Sequence, residues 1–333
     1  MDLSRWRGAG VAGPRAQVAL RESWNMAAEV FRPSPAARIC LFQGVAVDWH
    51  SLAFQVMNGL VWSVFVALVA LGLNAIYGLL GVLNIAHGAI YAAGAILAWY
   101  AVSLIGNFWL AFLIVPLLVA AASVPVYKAI LRRTIGQDMM VSLLATSGLL
   151  FILTDVQLAL FGGAPRTISP PISGSIALLG FHYPLYRFVA AGIAAAILVA
   201  FWMFLRFTSM GVWIRSVEQS ATLAKASGVP VERVYLTIVA LSAYFAALAG
   251  VLAAPMTIVH YQMGMPLLGA AFIVIVVGGL GNLGGAVAAA AIIGVGRGVL
   301  SVFITPTYAE VAAIALALPI LVLRPHGLFG GRS

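Results

Sequence analysis

Apolar residues in this chain gather into long unbroken runs separated by short polar interruptions. Runs near or above the ~18–20 residues that cross a hydrocarbon layer recur at 52–73, 86–105, 108–127, 140–160, 185–205, 235–254, 284–304 and 309–323. A further apolar run, 267–283, ends in glycines, so the pattern predicts eight or nine transmembrane helices. The expected fold class is an all-α integral membrane protein, a polytopic helical bundle with glycine-interrupted segments in both halves. Composition agrees: 63% of the 333 residues are hydrophobic and 8% are charged, against roughly a quarter charged in an ordinary soluble domain.

The formal charge of +9 adds orientation rather than a nucleic-acid surface, because the basic residues are scattered among loops and follow no helical face. Lys128, Arg132 and Arg133 lie between the third and fourth runs, and Arg206, Arg215, Lys225 and Arg233 between the fifth and sixth. By the positive-inside rule both loops face the cytoplasm. Alternation then places the Pro- and Gly-rich loop 162–187 outside, and the tail with Arg324 and Arg332 inside if 267–283 is a crossing. The first fifty residues resist this scheme: Arg5, Arg7, Arg15, Arg21, Arg32 and Arg38 make them basic, yet nine crossings put the amino terminus outside. Three readings stay open, namely one crossing fewer, a true exception, or a start at Met26 or Met57. The organisation is therefore an extension, 1–50, followed by one transmembrane domain, 51–333, with a charged loop at 206–234. The single cysteine, Cys40, excludes an intramolecular disulfide.

Two segments break the apolar pattern from within. GLNAIYGLLGVLNIAHGAIYAAG (72–94) carries five glycines, two asparagines and His87, and FIVIVVGGLGNLGGAVAAAAIIG (272–294) carries Asn282 among its glycines. Paired interruptions in the two halves of a membrane protein point to a transport pathway, since unwound backbone survives in a bilayer only where protein or a watery cavity satisfies it. Close helix packing explains the glycines alone somewhat better, and adding Asn84 and His87 makes the two readings even. Candidate pathway or gate residues are Asn84, His87, Gly88 and Tyr91 in the first segment and Gly278, Gly279, Gly281 and Asn282 in the second. Gly279, Gly281 and Gly284 also spell G-x-G-x-x-G, but the acidic residue a dinucleotide site needs about 20 positions later is missing.

Ionisable residues within the runs are candidates by default, because burying charge in lipid is costly. They are His87, Asp155 and Arg297, with Glu310 near the edge of the last run. A hydrogen-bonded packing role is the competing reading for each. No pair of ligands has metal spacing, and the chain has no Walker loop.

The loop RFTSMGVWIRSVEQSATLAKASGVPVERVY (206–235) places Trp213, Val217, Ala221 and Ala224 on one stripe of a short helix that stops at Gly228. The stripe is too small-sided to enter lipid and suits a groove in a partner protein, with Arg215, Glu218 and Lys225 off the stripe.

With these pieces in order, the chain resembles the permease subunits of branched-chain amino-acid ABC importers, the LivH type, from about Met57 to Arg332. NGLVWSVFVALVALGLNAIYGLLGVLNIAHG (58–88) is similar to the family's opening, the 206–234 loop to its cytoplasmic coupling segment, GGLGNLGGAVAAAAIIG (278–294) to its glycine-rich turn, and RPHGLFG to its tail. The resemblance implies a multi-pass pore half in a bacterial inner membrane, with no cofactor of its own and no enzymatic activity. Its partners would be a second homologous permease, two cytoplasmic ATPase subunits that use the ATP, and a periplasmic solute-binding protein. Arg215, Glu218, Ala221, Lys225 and Gly228 would then form the ATPase-coupling segment, in one helix over 213–228. The chain departs from the family at Ala89, where an acid is usual after AHG, and at Ala270 and Ala271, where a lysine is frequent. Alternatives are a permease for urea or short amides, an ion-coupled secondary transporter using His87, Asp155 or Arg297, and an intramembrane enzyme, for which His87 has no visible partner.

Overall fold

The computed structural model describes residues 49–178 and 181–315, with positions 319, 324, 327 and 328 beyond them. The basic extension up to residue 48, the side chain of Glu310 and Arg332 lie outside the described residues. Helix α1 (Trp49–Leu80) is the longest, 32 residues or about 48 Å at 1.5 Å per residue. It is followed by α2 (His87–Ile105), α3 (Phe108–Val126, continuing through a π turn at Tyr127–Leu131) and α4 (Met139–Phe161). A hairpin of β1 (Ser175–Leu178) and β2 (Phe181–Pro184) leads into α5 (Leu185–Phe207). Two short helices, α6 (Ser209–Gln219) and α7 (Ala221–Ala226), precede α8 (Val231–Ala253), α9 (Gly264–Gly278), α10 (Leu283–Phe303) and α11 (Pro306–Ala315).

Seven of the described helices are long and apolar enough to cross a membrane: α1 to α5, α8 and α10. The eight or nine expected from the runs are not reached by length. Helix α9 has 15 residues, about 22 Å against a hydrocarbon core of about 30 Å, and the run 309–323 is described as helix only through Ala315.

The core is made of close helix crossings. Lipid tails are as apolar as side chains, so helices in a membrane associate by close contact rather than by hydrophobic exclusion. Gly59 of α1 lies against Gly294 and Gly298 of α10, Gly94 of α2 against Ala247 of α8, and Gly88 of α2 against Gly264 of α9. A Cβ at any of these glycines would enter the neighbour's backbone. Helix α1 is thereby enclosed by α8, α9 and α10, while α3, α4 and α5 present outward surfaces rich in leucine and phenylalanine.

The two ends of the bundle differ. At one end the last turns of α1 (Ile76, Leu80), Tyr127 of the π turn, and α6 and α7 (Val217, Ala224) form a second apolar cluster with α8. This end carries Lys128, Arg132, Arg215 and Lys225 and is called the basic end below. At the opposite end lies a hairpin that the sequence reading treats as plain loop. Its strands pair Ser175 with Pro184 and Ile176 with Tyr183, Phe54 of α1 meets Phe181 and Tyr183 edge to face, and an Arg166–Val259 bridge ties the same loop to the segment after α8.

Candidate functional site

The first glycine-interrupted segment is a broken helix. Gly81, with φ of +67°, ends α1 in the left-handed region that glycine enters without penalty. Residues 82–86 are not helical, yet the Nε2–H of His87 donates to the Val69 carbonyl at 3.1 Å. Val69 lies eleven residues, about 16 Å, before Leu80, so the chain climbs back into the bundle beside α1 before α2 begins. Helix α4 satisfies the exposed backbone: Thr146 donates to the Leu83 carbonyl at 2.9 Å and Gln157 to the Ala89 carbonyl at 3.0 Å. Ser242 of α8 donates to the Gly72 carbonyl at 2.7 Å. Asn84 and His87 line a cavity of about 290 Å³ with Ile90, Leu118, Leu149 and Ser242. Asn84 Oδ1 and His87 Nδ1 are buried without a protein partner.

The second segment is a tight turn between α9 and α10. Gly279 and Gly281 have φ of +101° and +84°, and Asn282 caps α10 by accepting from the Gly285 N–H at 2.9 Å. The Gly281 N–H donates to Asn74 Oδ1 of α1 at 2.8 Å. Asn74 is fully buried, and this bond fastens the turn to α1. The tail closes over the same place: the Leu328 N–H donates to the Val277 carbonyl at 2.7 Å and Gly327 packs on Gly279. With one N–H committed to Asn74 and the tail packed on the turn, G-x-G-x-x-G here is a packing device and not a phosphate cradle.

The two segments therefore meet through Asn74, not through Asn84 or His87. Gly88 faces Gly264 of α9, and Gly278 faces Gly285 across its own turn. Tyr91 is buried one turn above His87 and lines a second, larger cavity at the end opposite the basic one. Of the other ionisable candidates, Arg297 lines that larger cavity and stacks over Trp62, 4.6 Å from the ring centroid. Asp155 is exposed on the outer face of α4.

The segment expected to couple to an ATPase is two helices, not one over 213–228. Ser220, in extended backbone with φ of −163°, separates them, and its hydroxyl accepts from the Leu223 N–H to cap α7. Thr208 caps α6 in the same way through the Gly211 N–H at 3.1 Å. The stripe of Trp213, Val217, Ala221 and Ala224 packs on this chain's own second cluster, so the exposed surface is the other face, with Arg215, Glu218, Leu223 and Lys225. Arg215 donates to the Leu205 carbonyl at the end of α5. Gly228, with φ of +83° and open space around it, turns the chain toward α8.

Glu218 joins this surface to the core. Although Glu218 is an exposed residue, one carboxylate oxygen lies where a Cβ on Gly78 of α1 or on Gly281 of the turn would touch it. Desolvation there raises the Glu218 carboxyl above its ordinary range, and the Arg215 charge opposes the shift. The sequence reading passed over Asn74, Thr146 and Gln157. Each is a polar residue inside an apolar run, and that is the signal that would have marked them.

A family model described as "Branched-chain amino acid transport system / permease component" matches residues 55–323. The high-affinity branched-chain amino acid transport system permease protein LivH of Salmonella typhimurium is 24% identical over 292 residues, covering 83% of this chain and 94% of that protein. BraD of Pseudomonas aeruginosa, a permease protein of the same kind of system, is 23% identical over 295 residues, covering 83% and 95%. Among solved structures, PsaBC from Streptococcus pneumoniae in complex with Fab aligns at 21% identity with a TM-score of 0.42, covering 80% of this chain and 89% of that one. With the family model spanning most of a multi-pass helical bundle, this chain belongs to the branched-chain amino acid transport system permease family.

Proposed function

We propose that this chain is one pore-forming half of an ATP-binding cassette importer that carries branched-chain or related amino acids across the bacterial inner membrane. A second homologous permease completes the pore, two cytoplasmic ATPase subunits bind and hydrolyse the ATP, and a periplasmic binding protein delivers the amino acid. The chain needs no cofactor of its own. The basic end faces the cytoplasm, and the exposed face of α6 and α7 seats on an ATPase subunit.

The observation that carries this reading is the position of Glu218. It sits on the surface helix α6, against both Gly78 of α1 and Gly281 of the α9–α10 turn, and that turn is bonded to Asn74 of α1. A movement of α6 imposed from the cytoplasm therefore bears directly on both glycine-interrupted segments. Nucleotide-driven closure of the ATPases biases the bundle between two arrangements through this contact. Asn84, His87, Gly88 and Tyr91 on one side, and Gly278, Gly279, Gly281 and Asn282 on the other, are the positions where backbone and side chains change partners as the path opens. Buried unpartnered acceptors such as Asn84 Oδ1 and His87 Nδ1 suit a path that hydrates in one state and closes in the other.

Glu218→Ala and Gly228→Val test this role in the assembled importer. Uptake is expected to fall at least tenfold, with the complex still assembled and the binding protein's affinity unchanged. Normal uptake by both variants contradicts the coupling assignment.

A further inference from the structure

A cavity of about 650 Å³ opens at the end opposite the basic one, within the ~300–1,000 Å³ typical of small-molecule sites. Helix α1 contributes Gln55, Asn58, Trp62 and Phe65, α5 contributes Arg187, and the chain between α8 and α9 contributes Met256, His260 and Met263. None of the described residues lining it is acidic. Its polar groups come from several elements, with Arg297 and Ser301 of α10 joining those of α1, α5 and the segment after α8, and they alternate with apolar Phe65, Met256, Met263 and Leu267.

Arg187 is held in place by Asn58. Its Nη1 donates to Asn58 Oδ1 at 3.0 Å, and the Tyr183 hydroxyl donates to the same oxygen at 3.1 Å. Asn58 Nδ2 in turn donates to Gln55 Oε1 at 3.2 Å. Burial raises the Tyr183 phenol above its ordinary range, with Arg187 opposing, so Tyr183 is a neutral donor. Asn58 is thus occupied on both of its ends and acts as a mount. The guanidinium carries five N–H donors in a fixed fork, of which this mount takes one, and among the described residues no carboxylate meets it.

We propose that this cavity binds the carboxylate of the transported solute, with Arg187, mounted on Asn58 and Tyr183, as the ion-pairing residue, and Phe65, Met256 and Met263 receiving the aliphatic remainder. The proposal rests on the importer reading above and adds the chemistry by which the permease itself selects. A planar guanidinium matches a carboxylate with two parallel hydrogen bonds, which a neutral amide cannot reproduce. The cavity therefore distinguishes an amino acid from its amide, a distinction that its apolar lining residues cannot make.

The test uses the assembled importer in proteoliposomes, with labelled leucine as the probe and ATPase stimulation by the loaded binding protein measured in parallel. Arg187→Gln is expected to lower leucine uptake roughly tenfold or more, with stimulated ATPase activity within about twofold of the unsubstituted complex. Asn58→Asp places a carboxylate of the chain's own against Arg187, which keeps the fold and blocks the site, so the same loss is expected; Arg187→Lys is intermediate. Unchanged uptake by Arg187→Gln and Asn58→Asp overturns the proposal and leaves the importer reading standing. A second readout does not depend on transport: the emission of Trp62, obtained as the difference from Trp62→Phe, is expected to respond to leucine and not to leucinamide, and to lose that response in Arg187→Gln. Should the unsubstituted complex move no leucine, the importer reading fails and this emission still decides the site. An equal response to leucine and leucinamide, or none to either, overturns it.

Discussion

Single polar atoms hold this bundle in register, and Glu218, the proposed coupling residue, is at the same time a stability liability. Its carboxyl is raised by desolvation against Gly78 and Gly281, so the ionised form is disfavoured in the fold relative to the unfolded chain. The protonated form costs nothing extra below the ordinary carboxylate range, and the penalty grows as pH rises through the raised folded value. Glu218→Gln is therefore expected to raise the unfolding temperature of the detergent-solubilised protein at pH 7 and to have no effect near pH 4. Thermal unfolding followed by tryptophan emission at the two pH values checks this, and the opposite pH order would contradict it. The same variant is expected to lose coupling, as residues tuned for function commonly do at a gain in stability.

At the scale of elements, the bundle depends on bare backbone crossings and on polar groups sent from one helix to the break in another. Gly94→Leu forces a side chain into the Ala247 backbone; overpacking of this kind costs about 1–3 kcal/mol or more, and it should lower the yield of folded protein in size-exclusion chromatography. Gly192→Leu, on α5 with open space around it, should leave the yield unchanged. Asn74→Ala leaves the half-buried Gly281 N–H without its acceptor, a loss of about 0.5–1.5 kcal/mol, and faster hydrogen exchange at 278–285 is the expected signature. The apolar runs made nearly every helix legible in the sequence, because lipid demands long continuous stretches and tolerates nothing else. The break at Gly81 was legible from its glycines, but the climb of 82–86 back to Val69 was not, because it depends on Thr146 and Gln157 more than fifty residues away. Periodicity carried the Trp213–Ala224 stripe straight across Ser220, although a serine ahead of a helical turn is a capping signal. The 175–184 hairpin escaped notice because its strands are four residues long and half of its pattern is exposed.

For the molecule as a whole, the two ends have separate chemistry. The basic end gathers α6, α7, the α9–α10 turn and the Gly327–Leu328 tail, and the opposite end holds the arginine-lined cavity. Of the candidate site, the residues proposed for coupling were legible because charge interrupts an apolar chain. Asn58 and Arg187 were not, since the arginine at the start of α5 meets Asn58 of α1 only once the chain has folded. The link between the ends is α1, which carries Asn58 at one and Asn74 and Gly78 at the other, so the account requires ATP-driven motion at the basic end to change the path along its length. The most direct test reconstitutes this chain with its second permease, the two ATPases and the loaded binding protein, and measures labelled leucine uptake with ATP present or absent and with an uncoupler added. Uptake that requires ATP, ignores the uncoupler and disappears when the ATPases are omitted is the predicted result; uptake by this chain alone, abolished by the uncoupler and indifferent to ATP, would contradict it.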